Sequence, residues 1–206
     1  MSKWLGALVL LVASAGAGAK TARSVTYLDA CHCAGCSGEE RWKVKTDPMQ
    51  PPPSLTVVKP SEIASWTGPG VAYAAGARVG NERKWYSVTG RVTLMKITPD
   101  GDMHVQLVDE NAPTTSTNVI VEIPAGEPWC HARASAMELT TLRTPITFHG
   151  ERKLKVKGKP VITIVGRAFY DGVHADRSKV ENVRDNRSKM HQAVWEIHPV
   201  MKLTVD

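Results

Sequence analysis

The run WYSVTGRVTLMKI, from Trp85 to Ile97, constrains the fold more than any other stretch of the chain. It is rich in β-branched and aromatic residues and alternates apolar with polar, the period-2 signature of a strand with one face in a core. TPDGD then supplies a proline and an Asp-Gly turn, and MHVQLVD alternates again. Two antiparallel strands follow from that order. NVIVEIP (118–124) reads as a third strand stopped by Pro124, KPVITIVGRAFYD as a fourth with Gly166 at a bulge or bend, and AVWEIHPVMKLTV as a fifth. A short apolar piece, PITFHG, is a candidate edge strand before the fourth.

Between the third and fourth strands lies AGEPWCHARASAMELTTLRTP. Pro128 stands near a helix start, Pro145 closes the far end, and Trp129, Ala132, Ala136, Leu139 and Leu142 recur at spacings of three and four. One amphipathic helix is expected there. Three strands, a helix and two strands, with a long first strand and glycines at bends, predict a mainly β chain. The order is that of an OB-like, five-stranded, partly open Greek-key barrel with one helix between strands three and four. An unrelated small antiparallel barrel or sandwich is the rival.

Residues 1–19 have the outline of a secretory signal peptide: Lys3, an apolar run containing LGALVLLVA, and overlapping small-residue triplets ending at Ala19. An uncleaved anchor is the alternative, but the uncharged run is short for a spanning helix, and no later segment is apolar enough to span. The expectation is a mature chain from Lys20, exported to the periplasm or the medium. Residues 20–84 carry DPMQPPPS, TGPG and VAYAAGARVG with little sustained period, so a Cys-containing, Pro/Gly-rich N-terminal arm is expected before an OB-like domain at 85–206. The net charge of +6 favours anionic surfaces weakly and is not the dense stripe of a dedicated nucleic-acid binder.

The four cysteines are Cys31, Cys33, Cys36 and Cys130. Cys33 and Cys36 have C-x-x-C spacing, but Ser37 stands where a c-type haem needs its histidine, so no haem is expected. The surrounding SGEERWKVKTDPMQPPPS also lacks the strand and helix pattern of a thioredoxin-like site. An even number of thiols in an oxidising compartment reads as two disulfides, one reaching from the cluster to Cys130. A zinc or copper thiolate site with His32 is the sharper alternative.

Histidines and carboxylates gather in three places. Asp102 and His104 are two apart, so both leave one face of the second strand. Asp171 and His174 follow the fourth strand, and Glu196 and His198 share a face of the fifth. Carboxylate beside imidazole suits a divalent ion of the zinc or manganese class and also general acid and base work. The six residues form the candidate metal set, with Glu196 and Asp171 as the catalytic carboxylates if the chain is an enzyme. Surface or hydrogen-bonded histidines are the plainer reading. Glu196, inside VWEIHPVM, demands a partner because an unpaired buried carboxylate is costly. Between the last two strands, Arg177, Lys179, Arg184, Arg187 and Lys189 make a long basic loop at a position where OB barrels bind ligands. Too few aromatics accompany it to make a strong case for single-stranded nucleic acid.

The strings WYSVTGRV, DGDMHVQL, VIVEIPAGEPWC, VGRAFYDGVHA and AVWEIHPVM, with CHCAGCSGEERWKVKTD ahead of them, resemble a group of exported bacterial proteins of unassigned function. The resemblance implies a bacterial, exported OB-like domain and assigns no substrate. Three functions are therefore expected in turn. The first is an exported OB-like binding domain with a metal or ligand site for an anionic ligand. The second is a metal-dependent phosphodiester hydrolase, and the third a non-catalytic envelope adaptor with a buried hydrogen-bond network.

Overall fold

A computed structural model describes residues 41–69, 76–142, 151–175 and 192–206. The long alternating run forms β2 (Trp85–Ile97), and the strands after it are β3 (Met103–Val108) and β4 (Asn118–Ile123). After α3 (Cys130–Glu138) come the short β5 (Arg152–Leu154), then β6 (Val161–Tyr170) and β7 (Gln192–Val205). Ahead of β2 stand α1 (Trp42–Lys45), β1 (Thr56–Val58) and α2 (Pro60–Ala64).

The sheet order is β1-β2-β3-β4-β7-β6, and β2 also pairs with β6. That last pairing closes five strands into a barrel. Its C-terminal half, from Arg91, bonds β3, while its N-terminal half, Trp85 to Arg91, bonds β6. The strand changes partners at Gly90, where a Cβ would lie 2.8 Å from the Val108 carbonyl oxygen. Only glycine admits that approach. β4 and β7 run parallel, the one parallel contact inside the closed ring. The architecture is the OB-like barrel expected from the strand order, with closure completed through β2 and β6.

Alternation sorts the side chains. Val88, Val92, Met95 and Ile97 of β2, Met103, Val105 and Leu107 of β3, and Val119, Val121 and Ile123 of β4 all enter one core, joined by Trp195 and Ile197 of β7. The helix closes one end of it. Trp129, Ala132, Ala136 and Met137 are buried against the barrel, and the Arg133 guanidinium donates to the carbonyls of Gly101 and Ile123. The helical part spans a 3-10 turn at Glu127–Trp129 and then α3, so it ends before Leu142 and is shorter than the spacing predicted. PITFHG lies outside the described residues, and the extra edge strand found is β5, bonded to β2 just beyond it.

The expected bulge at Gly166 is present. The β6–β7 register shifts on both sides of it, with β7 carrying an additional residue each time. A Cβ at Gly166 would sit 2.5 Å from both Ile197 Cγ2 and the Pro199 carbonyl oxygen, so β7 presses directly on this backbone.

The described part of the N-terminal segment packs into the domain. β1 adds to β2 in parallel, Ile63 of α2 is fully buried, and Ser61 donates from its amide and hydroxyl to Asp109 at 2.9 and 2.6 Å. Arg41 forms a two-pronged pair with the buried Glu82, whose carboxylate also accepts the amides of Val79 and Tyr170. Among the described residues no helix is long and apolar enough to cross a membrane.

Candidate metal centre on the outer face of the barrel

Residues that alternate with the core positions point away from the barrel interior, and on β3, β4 and β7 these are unusually polar. They include His104 and Gln106, then Asn118 and Glu122, then Glu196 and His198. All six are nonetheless buried. A sheet face with that many ionisable groups out of water must pair them or give them to an ion.

Strand register assembles the group. His104 stands opposite Glu122 across the β3–β4 pair, and its Nδ1 lies 2.8 Å from Glu122 Oε1. The other ring nitrogen faces Gln106 Nε2 at 3.2 Å. Parallel pairing of β4 with β7 sets Ile120 beside Glu196, which brings the next outward residue, Glu122, toward His198. Glu122 Oε2 is 3.1 Å from His198 Nδ1, and Asp102 Oδ2 is 3.1 Å from His198 Nε2. Glu196 is 3.9 Å from the same Nδ1. Asp102 is delivered by the tight turn after β2, where Gly101 adopts φ +88° and the Asp100 carboxylate receives the Asp102 amide. From β6, the Phe169 ring packs edge-on to His198 at 5.8 Å, with Arg41 and Lys45 each 5.1 Å from the centre of that ring.

Among the described residues no group is aligned for a hydrogen bond with either His198 nitrogen despite these distances, nor with Asp102 Oδ2. Electrostatics still bind the group together. Burial disfavours the His198 imidazolium, but Asp102, Glu122 and Glu196 outweigh it and raise its pKa well above the usual histidine value. Burial likewise works against the Glu122 carboxylate, yet His104 and His198 hold its pKa well below the ordinary range. Asp102 is the weak acid of the set, pushed up by burial despite the contact with His198.

Asp102, Glu122 and His198 could hold a metal ion. Each offers one ligand atom, and the three lie within 4.8 Å of one another. His104, bonded to the far oxygen of Glu122, would act as the outer partner that orients a ligating carboxylate.

Of the residues picked out by sequence, Asp102, His104, Glu196 and His198 are brought to this one face. Asp171 and His174 instead pair with each other at 2.7 Å beyond the end of β6, with Asp171 buried and the His174 side chain 63 % exposed. They are outside the three-residue metal group. Glu122 was missed by sequence reasoning, although a lone carboxylate inside VIVEI carries the same signal that singled out Glu196 within VWEIHPV. The basic loop residues Arg177, Lys179, Arg184, Arg187 and Lys189 lie outside the described residues, as do Cys31, Cys33 and Cys36. Cys130 is buried and is not a free thiol.

No family model matches the chain, and neither a curated protein nor a solved structure matches it.

Proposed function

We propose that the chain is an exported binding domain of the OB type whose outer sheet face holds one divalent cation, of the zinc or manganese class, between Asp102, Glu122 and His198. The observation that carries this reading is the state of His198. It is fully buried, carboxylate oxygens approach both ring nitrogens to 3.1 Å, and among the described residues neither nitrogen has an aligned hydrogen bond. Buried polar groups are as a rule hydrogen bonded. An ion at ligand distance would satisfy one imidazole nitrogen and two carboxylates together, a donor set that suits zinc and manganese.

Binding is favoured over phosphodiester hydrolysis by access. Asp102 and His198 are 0 % exposed and Glu122 is 7 % exposed, whereas a catalytic ion keeps one position open to water and substrate. Export is supported by the leader-like residues 1–19. A bridge from Cys130 to the cysteine cluster is supported by the absence of a free thiol at Cys130, and it would fasten the N-terminal segment to the domain.

One observation favours a second reading. The two close carboxylates flank opposite nitrogens of a single ring, and one ion can take only one of those nitrogens. A protonated His198 bridging Asp102 and Glu122, with no metal, would make the group a structural network in an adaptor. Native mass spectrometry of the full chain made in an oxidising compartment, followed by zinc and manganese titration, separates the two. One retained ion per chain, lost in Asp102→Asn, supports the metal centre. A chain that retains none and takes up neither zinc nor manganese sinks it and leaves the network.

A further inference from the structure

A second surface, on the opposite side of β2 from β1, carries a row of cations with no role in the metal centre. The stretch RKLKVKGK, residues 152–159, holds Arg152, Lys153, Lys155, Lys157 and Lys159. At the chain's average of 26 Lys and Arg in 206 residues, about one cation would be expected in eight positions, so this is a local concentration. All five are exposed, while Leu154 between them is buried and Val156 packs against the core.

The row is held on fixed backbone. Arg152 to Leu154 bond β2 as β5, Val156 bridges Thr140, the Thr141 amide donates to the Lys155 carbonyl, and the Lys157 amide donates to the Leu139 carbonyl. Extended chain places alternate side chains on one side about 6.6 Å apart. Lys153, Lys155 and Lys157 therefore make a regular charge repeat. Lys157 Nζ reaches the Glu138 carbonyl, but among the described residues none of Lys153, Lys155 and Lys159 has an ion pair. Beside the row runs a groove of about 400 Å³, lined by Lys153, Lys159, Arg91, Thr93, Thr114 and Val156. It offers ammonium and hydroxyl donors above an apolar floor.

Lysine on a sheet edge also discourages edge-to-edge pairing, but that purpose needs one or two charges and no groove. We propose that this groove and lysine row bind an extended sugar-phosphate strand through its phosphodiester groups. Two observations select that occupant. The concave surface fits a strand better than a flat lipid headgroup layer. The lysine repeat suits the six-bond spacing between phosphates in a sugar-phosphate chain and is too wide for the two-bond repeat of inorganic polyphosphate.

The test uses the full chain with a fluorescent abasic phosphodiester oligomer, measured by anisotropy across a salt series. With about four phosphates neutralised, log affinity should fall against log salt with a slope of about −3. The combined variant Lys153→Glu, Lys155→Glu, Lys159→Glu should weaken binding by at least about 30-fold. Lys43→Glu, Lys84→Glu, Lys202→Glu, which removes the same charge from other exposed positions, should leave affinity within about twofold if the row rather than net charge binds. Unfolding curves establish that each variant is folded, and Lys→Gln replacements at 153, 155 and 159 serve if the reversed set is not. Equal losses in both triple variants overturn the proposal, as does no binding at low salt. Tighter binding of inorganic polyphosphate or of anionic vesicles than of the oligomer overturns it too.

Discussion

His104 and Glu122 face each other across β3 and β4 with Nδ1 2.8 Å from Oε1, and the second oxygen of the same carboxylate lies 3.1 Å from His198. One side chain thus couples two histidines from different strands. Removing His104 should leave Asp102, Glu122 and His198 in place but free the carboxylate to rotate. His104→Ala is expected to lower zinc affinity by about 10–100-fold with stoichiometry unchanged. Competition titration against a chromophoric chelator measures this, and unchanged affinity would remove His104 from the site.

An ion that binds only the folded chain raises its stability by mass action. Zinc at a hundredfold excess over its dissociation constant should add about 2.7 kcal/mol to unfolding, and chelator should remove it. The gain should shrink on acidification, because loading requires His198 to lose its proton and its folded pKa is raised. Calorimetric melting with and without zinc at several pH values reads both effects. A zinc-independent melting temperature would favour the metal-free network.

Arg41 and the amides of Val79 and Tyr170 hold the Glu82 pKa below its ordinary value of 4.5, against the opposing effect of burial. A depressed folded-state pKa contributes stability that is fully present above the unfolded value and is lost as pH falls through the folded one. Urea midpoints should therefore drop as pH is lowered from about 5, with Asp and Glu elsewhere adding to the trend. Arg41→Ala should flatten this part of the curve. Parallel curves for the two chains would show that the pair does not contribute.

At Gly166 a side chain has nowhere to go without moving β7. Gly166→Ala should destabilise by about 1–3 kcal/mol, the usual penalty for overpacking, and more if Pro199 cannot shift. Because His198 precedes Pro199, the same variant should also weaken zinc binding. A melting temperature within a degree of the parent would mean that the two backbones separate easily.

Period-2 alternation made the barrel legible, since β2, β3, β6 and β7 each announce a core face. It also placed Asp102 with His104 and Glu196 with His198. Glu122 stayed hidden because β4 is buried on both faces, so its apolar residues do not alternate and its single carboxylate reads as an interruption. Its proximity to His198 comes from parallel pairing of β4 with β7, which leaves no mark in local spacing. Asp171 and His174 follow the end of β6 and so read as part of the same cluster, but a three-residue turn lets them satisfy each other first. Short elements such as β1 and α1 have too few residues to show any period. They are held by long-range contacts such as Arg41 with Glu82.

The switch of β2 from β3 to β6 at Gly90 has a kinetic side. A growing chain that ends before β5 can form the β2–β3–β4 meander with β1 added to it, but one edge of β4 and the β6-facing edge of the first half of β2 await partners far downstream. Those partners, β7 and β6, come last, and the parallel seam between β4 and β7 needs the final fourteen-residue strand. Folding dominated by such distant pairings is slow. The ring therefore shuts from its C-terminal end, and His198, one of the three residues of the candidate metal site, arrives with the latch.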